Sequence, residues 1–217
     1  MMNNRDSLMA SQIITRFDKI VSSDQKRKKA LVIMNFRHSF NKEFYFPGGR
    51  SLKNVAWFLF DKYKNRVANV FLNTITITNN EKMGLIQDGK WDAAFQAAGN
   101  KSLGFDFAAS PFGNDSFDVW PFKSDYTYRD IFTGFIFFQP VENHRLVEGI
   151  PGFIDSSFRA EVYRRIELIS IVNREFKSKM ENLKQAIKGE APALNLREEK
   201  KYYQSDSLVA KRKTWLK

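Results

Sequence analysis

Any imidazole chemistry in this 217-residue chain must use one of two side chains, because the sequence holds only two histidines. His38 closes the run Asn35-Phe-Arg-His38, directly after the apolar stretch Ala30-Leu-Val-Ile-Met34. An imidazole there can serve as general base, metal ligand or hydrogen-bond donor to an anion. Arg37 beside it carries a planar fork of donors that suits a carboxylate or phosphate. His144 sits in Val141-Glu-Asn-His-Arg145 and reads as a solvated loop residue. Aspartates recur at Asp106, Asp115, Asp118, Asp125 and Asp130. Asp106 stands out, since Gly104-Phe-Asp-Phe107 sets it on or at the end of a short strand, while the others read as turn and cap residues. Cysteine is absent, which excludes disulfides, zinc ribbons and thiol nucleophiles. Gly48-Gly49 is too little for a phosphate-binding loop, and neither a Gly-x-Ser-x-Gly elbow nor a His-Glu-x-x-His helix occurs.

The elements that must position these residues follow from periodicity. Leu8, Met9, Ile13, Phe17 and Ile20 recur at spacings of three and four, which predicts a helix over Asp6 to Val21, with Asn4 or Asp6 as its cap. Ala30 to Met34 is apolar without alternation, as expected of a strand covered on both faces. Its carboxyl end would deliver Asn35, Arg37 and His38 to the edge of a sheet, where open α/β sheets bind their ligands. A loop with Phe46-Pro-Gly-Gly49 leads to a second helix, Leu52 to Tyr63, capped by Ser51. A second strand is expected over Val67 to Ile77, a short helix over Trp91 to Ala98 and a short strand over Ser102 to Phe107. Asp130 to Phe138, the most apolar run, reads as another central strand that Pro140 ends. The order of helices and strands implies an α/β fold, a mostly parallel sheet flanked by helices. A long amphipathic helix, Glu161 to Lys188, ends at Gly189.

The domain reading is therefore an α/β domain over 1–160, the long helix over 161–188 and a charged, mobile tail over 189–217. The 21 phenylalanines point to a core of aromatic packing. The formal charge is +11, with 14 Lys/Arg against 8 Asp/Glu from Glu161 onward. Its densest cationic run is Lys26-Arg-Lys-Lys29. With no groove-reading motif, that charge alone does not make a nucleic-acid binder. No run approaches the roughly 20 apolar residues that span a bilayer. No secretory leader is visible at the start, so a complete chain is expected in the cytoplasm, and one cut from a longer precursor outside it.

The stretch Arg5-Asp-Ser-Leu-Met-Ala10, followed by Ala30-Leu-Val-Ile-Met-Asn-Phe-Arg-His38 and a Gly-containing loop before a helix, resembles a known group. It is similar to the second half of the erythromycin-esterase-like and ChaN/TraB/Tiki-like superfamily. Lys101-Ser-Leu-Gly-Phe-Asp106 and Tyr128-Arg-Asp-Ile-Phe-Thr-Gly-Phe-Ile-Phe137 look like its closing strands. The resemblance implies a hydrolase-like domain in which His38 is the active-site histidine, as acid/base or ligand of a divalent metal. Arg5 would face the same cleft as a second catalytic residue, with Asn35, Arg37 and Asp106 binding a small-molecule or peptide substrate. Asn35 stands where the group has the first His or Gly of its motif, and Gly49 takes the later Gly position. Family members also have an earlier half that supplies a Glu and a His, so completion by such a half or by a partner chain is expected. The other expectation is a non-enzymatic binding or protein-interaction module that uses the C-terminal helix and the basic surface.

Overall fold

The computed structural model describes residues 2–46, 49, 51–78, 83–119, 125–148, 152, 155–172, 198–201 and 206–216. The chain divides into two units, Met1–Val141 with Ser205–Lys217, and Glu142–Gln204. In the larger unit, α1 (Met2–Ser22) lies against α2 (Val55–Tyr63). Phe17 meets the Tyr63 ring edge to face at 5.6 Å, and the Tyr63 hydroxyl donates to Asp18 at 2.7 Å. Burial and the Asp18 carboxylate push the Tyr63 phenol up to about 12. A hairpin of β1 (Phe44–Tyr45) and β2 (Ser51–Leu52) precedes α2.

Three strands form the central sheet: β3 (Val70–Leu72), β7 (Gly134–Phe137) and β6 (Leu103–Asp106), in the order β3-β7-β6. β3 runs parallel to β7, whereas β6 is antiparallel to it. Between them in sequence lie an antiparallel pair, β4 (Ile75–Ile77) and β5 (Met83–Leu85), then α3 (Lys90–Ala97) and the short α4 (Tyr128–Ile131). Successive strand residues point to opposite faces, and here the two faces differ. Phe71, Phe135 and Phe137 enter the core, while Val70, Leu72 and Ile136 are 47%, 51% and 38% exposed. The covered side is a continuous aromatic cluster. Phe71 stacks on Phe132 at 4.8 Å and Phe95 on Phe137 at 4.2 Å, and Trp91 lies 4.5 Å from Tyr128.

Two asparagines bracket β3. Asn69 donates its amide to the carbonyls of Ser39 (2.6 Å) and Ile131 (2.7 Å), and its Oδ1 accepts from the Thr133 N–H at 3.0 Å. Asn73 donates to the Gln139 carbonyl at 2.6 Å and accepts from the Phe138 N–H at 3.1 Å. Both are buried, so these bonds satisfy backbone groups that the three-residue strand leaves open.

The mostly parallel sheet expected from the sequence is not formed among the described residues; the sheets are small, and all but the β3–β7 pairing are antiparallel. Ala30–Met34 is not a strand, and Leu31 and Ile33 are each 88% exposed. A strand needs a neighbour for its backbone groups, and no described strand lies beside this run. The strand expected over Val67 to Ile77 is two, broken at Asn73-Thr74, where the Asn73 amide turns to β7's end. The run from Asp130 starts as helix instead, because the Asp130 carboxylate accepts from the Thr127 N–H (2.8 Å) and hydroxyl (2.7 Å). Asp6 lies inside α1 rather than capping it, and Ser51 belongs to β2.

Within the segment read as a charged tail, α6 (Asp206–Thr214) packs on the turn at residues 86–89 and on α3. Lys211 pairs with Asp88, and the Trp215 indole donates to the Asp88 carbonyl at 3.2 Å. Gly89 permits this approach: its φ is +89°, and a Cβ there would sit 3.3 Å from the Arg212 backbone. In the smaller unit, β8 (Arg145–Glu148) pairs antiparallel with β9 (Glu198–Lys201), and α5 spans Ser156–Val172. The remainder of the helix expected to Lys188 lies outside the described residues. Among the described residues, no helix is long and apolar enough to cross a membrane.

Candidate functional site

His38 is carried by a 3₁₀ turn, Phe36–Ser39, and not by a strand end. The Asn35 carboxamide accepts from the Arg37 N–H at 3.2 Å and so caps the turn. Aromatic anchors on either side fix it. Phe36 lies 5.8 Å from Phe71, and Phe40 lies 5.2 Å from Phe117 and 5.6 Å from Phe132. Asn69 then binds the Ser39 carbonyl, tying the turn to β3.

The turn brings His38 against α1. Its Nδ1 lies 2.8 Å from Asp6 Oδ2, and its Nε2 lies 3.4 Å from Arg5 Nη2. Both neighbours specify the same tautomer. A carboxylate only accepts and a guanidinium only donates, so Nδ1 carries the proton and Nε2 presents its lone pair. Asp6 is held in turn: its Oδ2 also accepts from the Val55 N–H at 3.3 Å, one of the open donors at the start of α2. Asn54, the residue before α2, makes no side-chain cap of its own, so the Asp6 carboxylate from α1 replaces it. Burial grades across the group, with side chains 5% exposed at Asp6, 18% at His38 and 71% at Arg5.

Chemically this is a buried carboxylate orienting an imidazole whose other nitrogen faces the exposed Arg5 guanidinium. A carboxylate on Nδ1 fixes ring orientation and stabilises the imidazolium formed when Nε2 takes a proton. Among the described residues, no three His, Cys, Asp or Glu side chains converge, so a divalent ion at His38 would need ligands from elsewhere.

Of the residues read from the sequence, Arg5 and His38 come together, and Asn35 and Arg37 belong to the same turn. The Arg37 guanidinium lies 5.9 Å from the Phe36 ring centre. Asp106 ends β6 and caps the next turn, accepting from the Ala108 N–H at 2.7 Å. His144 is buried, contrary to its reading as solvated. Asp6 was legible only as a cap; the signal for its role is its place beside Arg5, one residue round the helix.

A second polar cluster, built on two aspartates that the sequence offered only as turn and cap residues, borders the core. Tyr128 donates to Asp118 at 2.5 Å and the Gln87 N–H donates to it at 2.9 Å, while Asp115 accepts from Trp91 Nε1 and Lys90 Nζ, each at 2.7 Å. Burial pushes the Asp118 carboxyl up and, with Asp118 beside it, pushes the Tyr128 phenol well above its ordinary value. Between the ordinary and the raised Asp118 values, the folded state binds more protons than the unfolded chain. Stability from this group is thus fully present at low pH and falls as pH rises through the raised pKa. Urea unfolding midpoints across that window should fall more, or rise less, with pH in the parent than in Asp118→Ala; an equal slope in the variant would refute the assignment.

Comparison with protein-family models, with curated proteins and with solved structures finds no match.

Proposed function

We propose that His38, Asp6 and Arg5 form the acid–base centre of a hydrolase-type site. The observation that carries this reading is the 2.8 Å Asp6–His38 contact, which orients Nε2 as a base beside the exposed Arg5 guanidinium. His38 Nε2 would take a proton from water or a substrate hydroxyl and return it to the leaving group. Arg5 would bind the anionic or polarised oxygen of a small-molecule or peptide substrate, leaving Nε2 as it does so. The resemblance to erythromycin-esterase and Tiki-like hydrolases supports the same assignment of His38 and Arg5. A half that supplies further groups would complete such a centre.

A panel of activated carboxylic esters tests the proposal, with His38→Ala expected to lower turnover about 10²–10⁴-fold. Turnover equal to that of the parent protein would remove His38 from the chemistry. Calorimetry with Zn²⁺ and Mn²⁺ separates the metal reading: binding by the parent that His38→Ala abolishes would replace the acid–base assignment with a metal site.

A further inference from the structure

We infer that residues 26–33 form a docking surface for an anionic lipid bilayer. The inference is independent of the His38 site and rests on two adjoining features of one chain segment. Lys26, Arg27, Lys28 and Lys29 are all exposed. Lys28 donates to the Val21 carbonyl at the end of α1 at 2.8 Å, while Lys26, Arg27 and Lys29 pair with no carboxylate among the described residues. Nearby acids offset little of this charge, since Asp18 is engaged by Lys62 and Tyr63 and only Asp24 adjoins the run. Immediately afterwards Leu31, Val32 and Ile33 stand 88%, 40% and 88% exposed, in a segment that pairs with no strand.

Large aliphatic side chains so fully in water, next to a cationic run, call for a partner with both characters. Nucleic acid would match the four cations but offers little to Leu31 and Ile33. An apolar protein surface would match those two but not four adjoining positive charges. The interface of an anionic bilayer provides both within a few ångströms, phosphates and carboxylates at the surface and hydrocarbon just beneath. One weak signal alone gives marginal attachment, so charge and insertion should act together. Asn35–His38 follows directly, which would hold the candidate site at the lipid surface.

Co-sedimentation of the full chain with phosphatidylcholine vesicles, with and without phosphatidylserine, tests this. Binding is expected only to the anionic vesicles and should weaken as salt rises. Leu31→Ser/Ile33→Ser and Lys26→Gln/Arg27→Gln should each weaken it about tenfold or more. All four positions are exposed, so circular dichroism of the variants should match the parent; single Leu31→Ser replaces any pair that does not fold. No binding, or equal binding to both vesicles, overturns the proposal. So does parent-like binding by the serine pair, which would leave charge as the whole effect. A parent dimer in sedimentation velocity that the serine pair dissociates, with no vesicle binding, would assign the segment to a second copy instead.

Discussion

An Asn69→Ala variant is expected to lose about 3 kcal/mol of stability and to melt about 6–12 °C below the parent. Asn69 is 7% exposed, and its side chain serves Ser39, Ile131 and Thr133 at once. Truncation leaves two carbonyls without their donor in a place water cannot easily reach. The Thr133 N–H keeps a second acceptor, the Asn69 carbonyl at 3.0 Å, which limits the loss. Denaturant unfolding measures the effect, and a loss below about 1 kcal/mol would mean that these bonds add little beyond what water supplies. The same variant also frees the Ser39 carbonyl, so the turn that carries His38 should loosen with the sheet.

The second large effect is expected at Asp6→Asn. The substitution conserves shape but removes the negative charge and turns one of the two acceptor oxygens into an amide donor. His38 and Val55 meet the same oxygen, Oδ2, so an amide that sets its oxygen there keeps both bonds, and one that sets its nitrogen there loses both as acceptor contacts. If the amide group faces His38, Nδ1 must become the acceptor and the ring proton moves to Nε2, which ends its use as a base. In that orientation turnover should fall about 10³–10⁴-fold, by analogy with Asp→Asn in a serine-protease triad. The same orientation also strands the Val55 N–H, at a cost of about 1–3 kcal/mol. Because the chain has only two histidines, imidazole ¹⁵N spectra can be assigned with one variant. They should show the Nδ1–H form of His38 in the parent, and in Asp6→Asn the ring proton reports which amide atom faces Nδ1. An Nε2–H parent would contradict the site geometry whatever the activity.

Much of the helical structure was legible, for reasons visible at individual positions. The spacing of Leu8, Ile13, Phe17 and Ile20 found α1, and the same kind of stripe found helices over Leu52 to Tyr63, which begins three residues later at Val55, and over Trp91 to Ala98. The β6 strand fell where Ser102 to Phe107 placed it. Ala30–Met34 misled because an unbroken apolar run carries no information on whether anything covers it. The same run sets the meaning of the fold class: without it the sheet loses its expected second parallel neighbour. The start of α4 was readable, since Thr127-Tyr-Arg-Asp130 has the capping-box spacing, but the apolar run after it dominated. Of the candidate site, Arg5 and His38 were named through motifs. Asp6 was not, because only the docking of α1 on α2 shows that it faces inward while Arg5 faces water.

The bracketing asparagines also determine which pairings β3 can adopt. A three-residue strand has few ladder bonds of its own and could slide along its neighbour at small cost. Asn69 reaches the carbonyl of Ile131 before β7, and Asn73 reaches that of Gln139 after it. With the two amides four residues apart, only one alignment satisfies both. A slip by one residue would leave both buried without partners and would carry Phe71 out of the aromatic cluster into water. The pair thus gives β3 a single position.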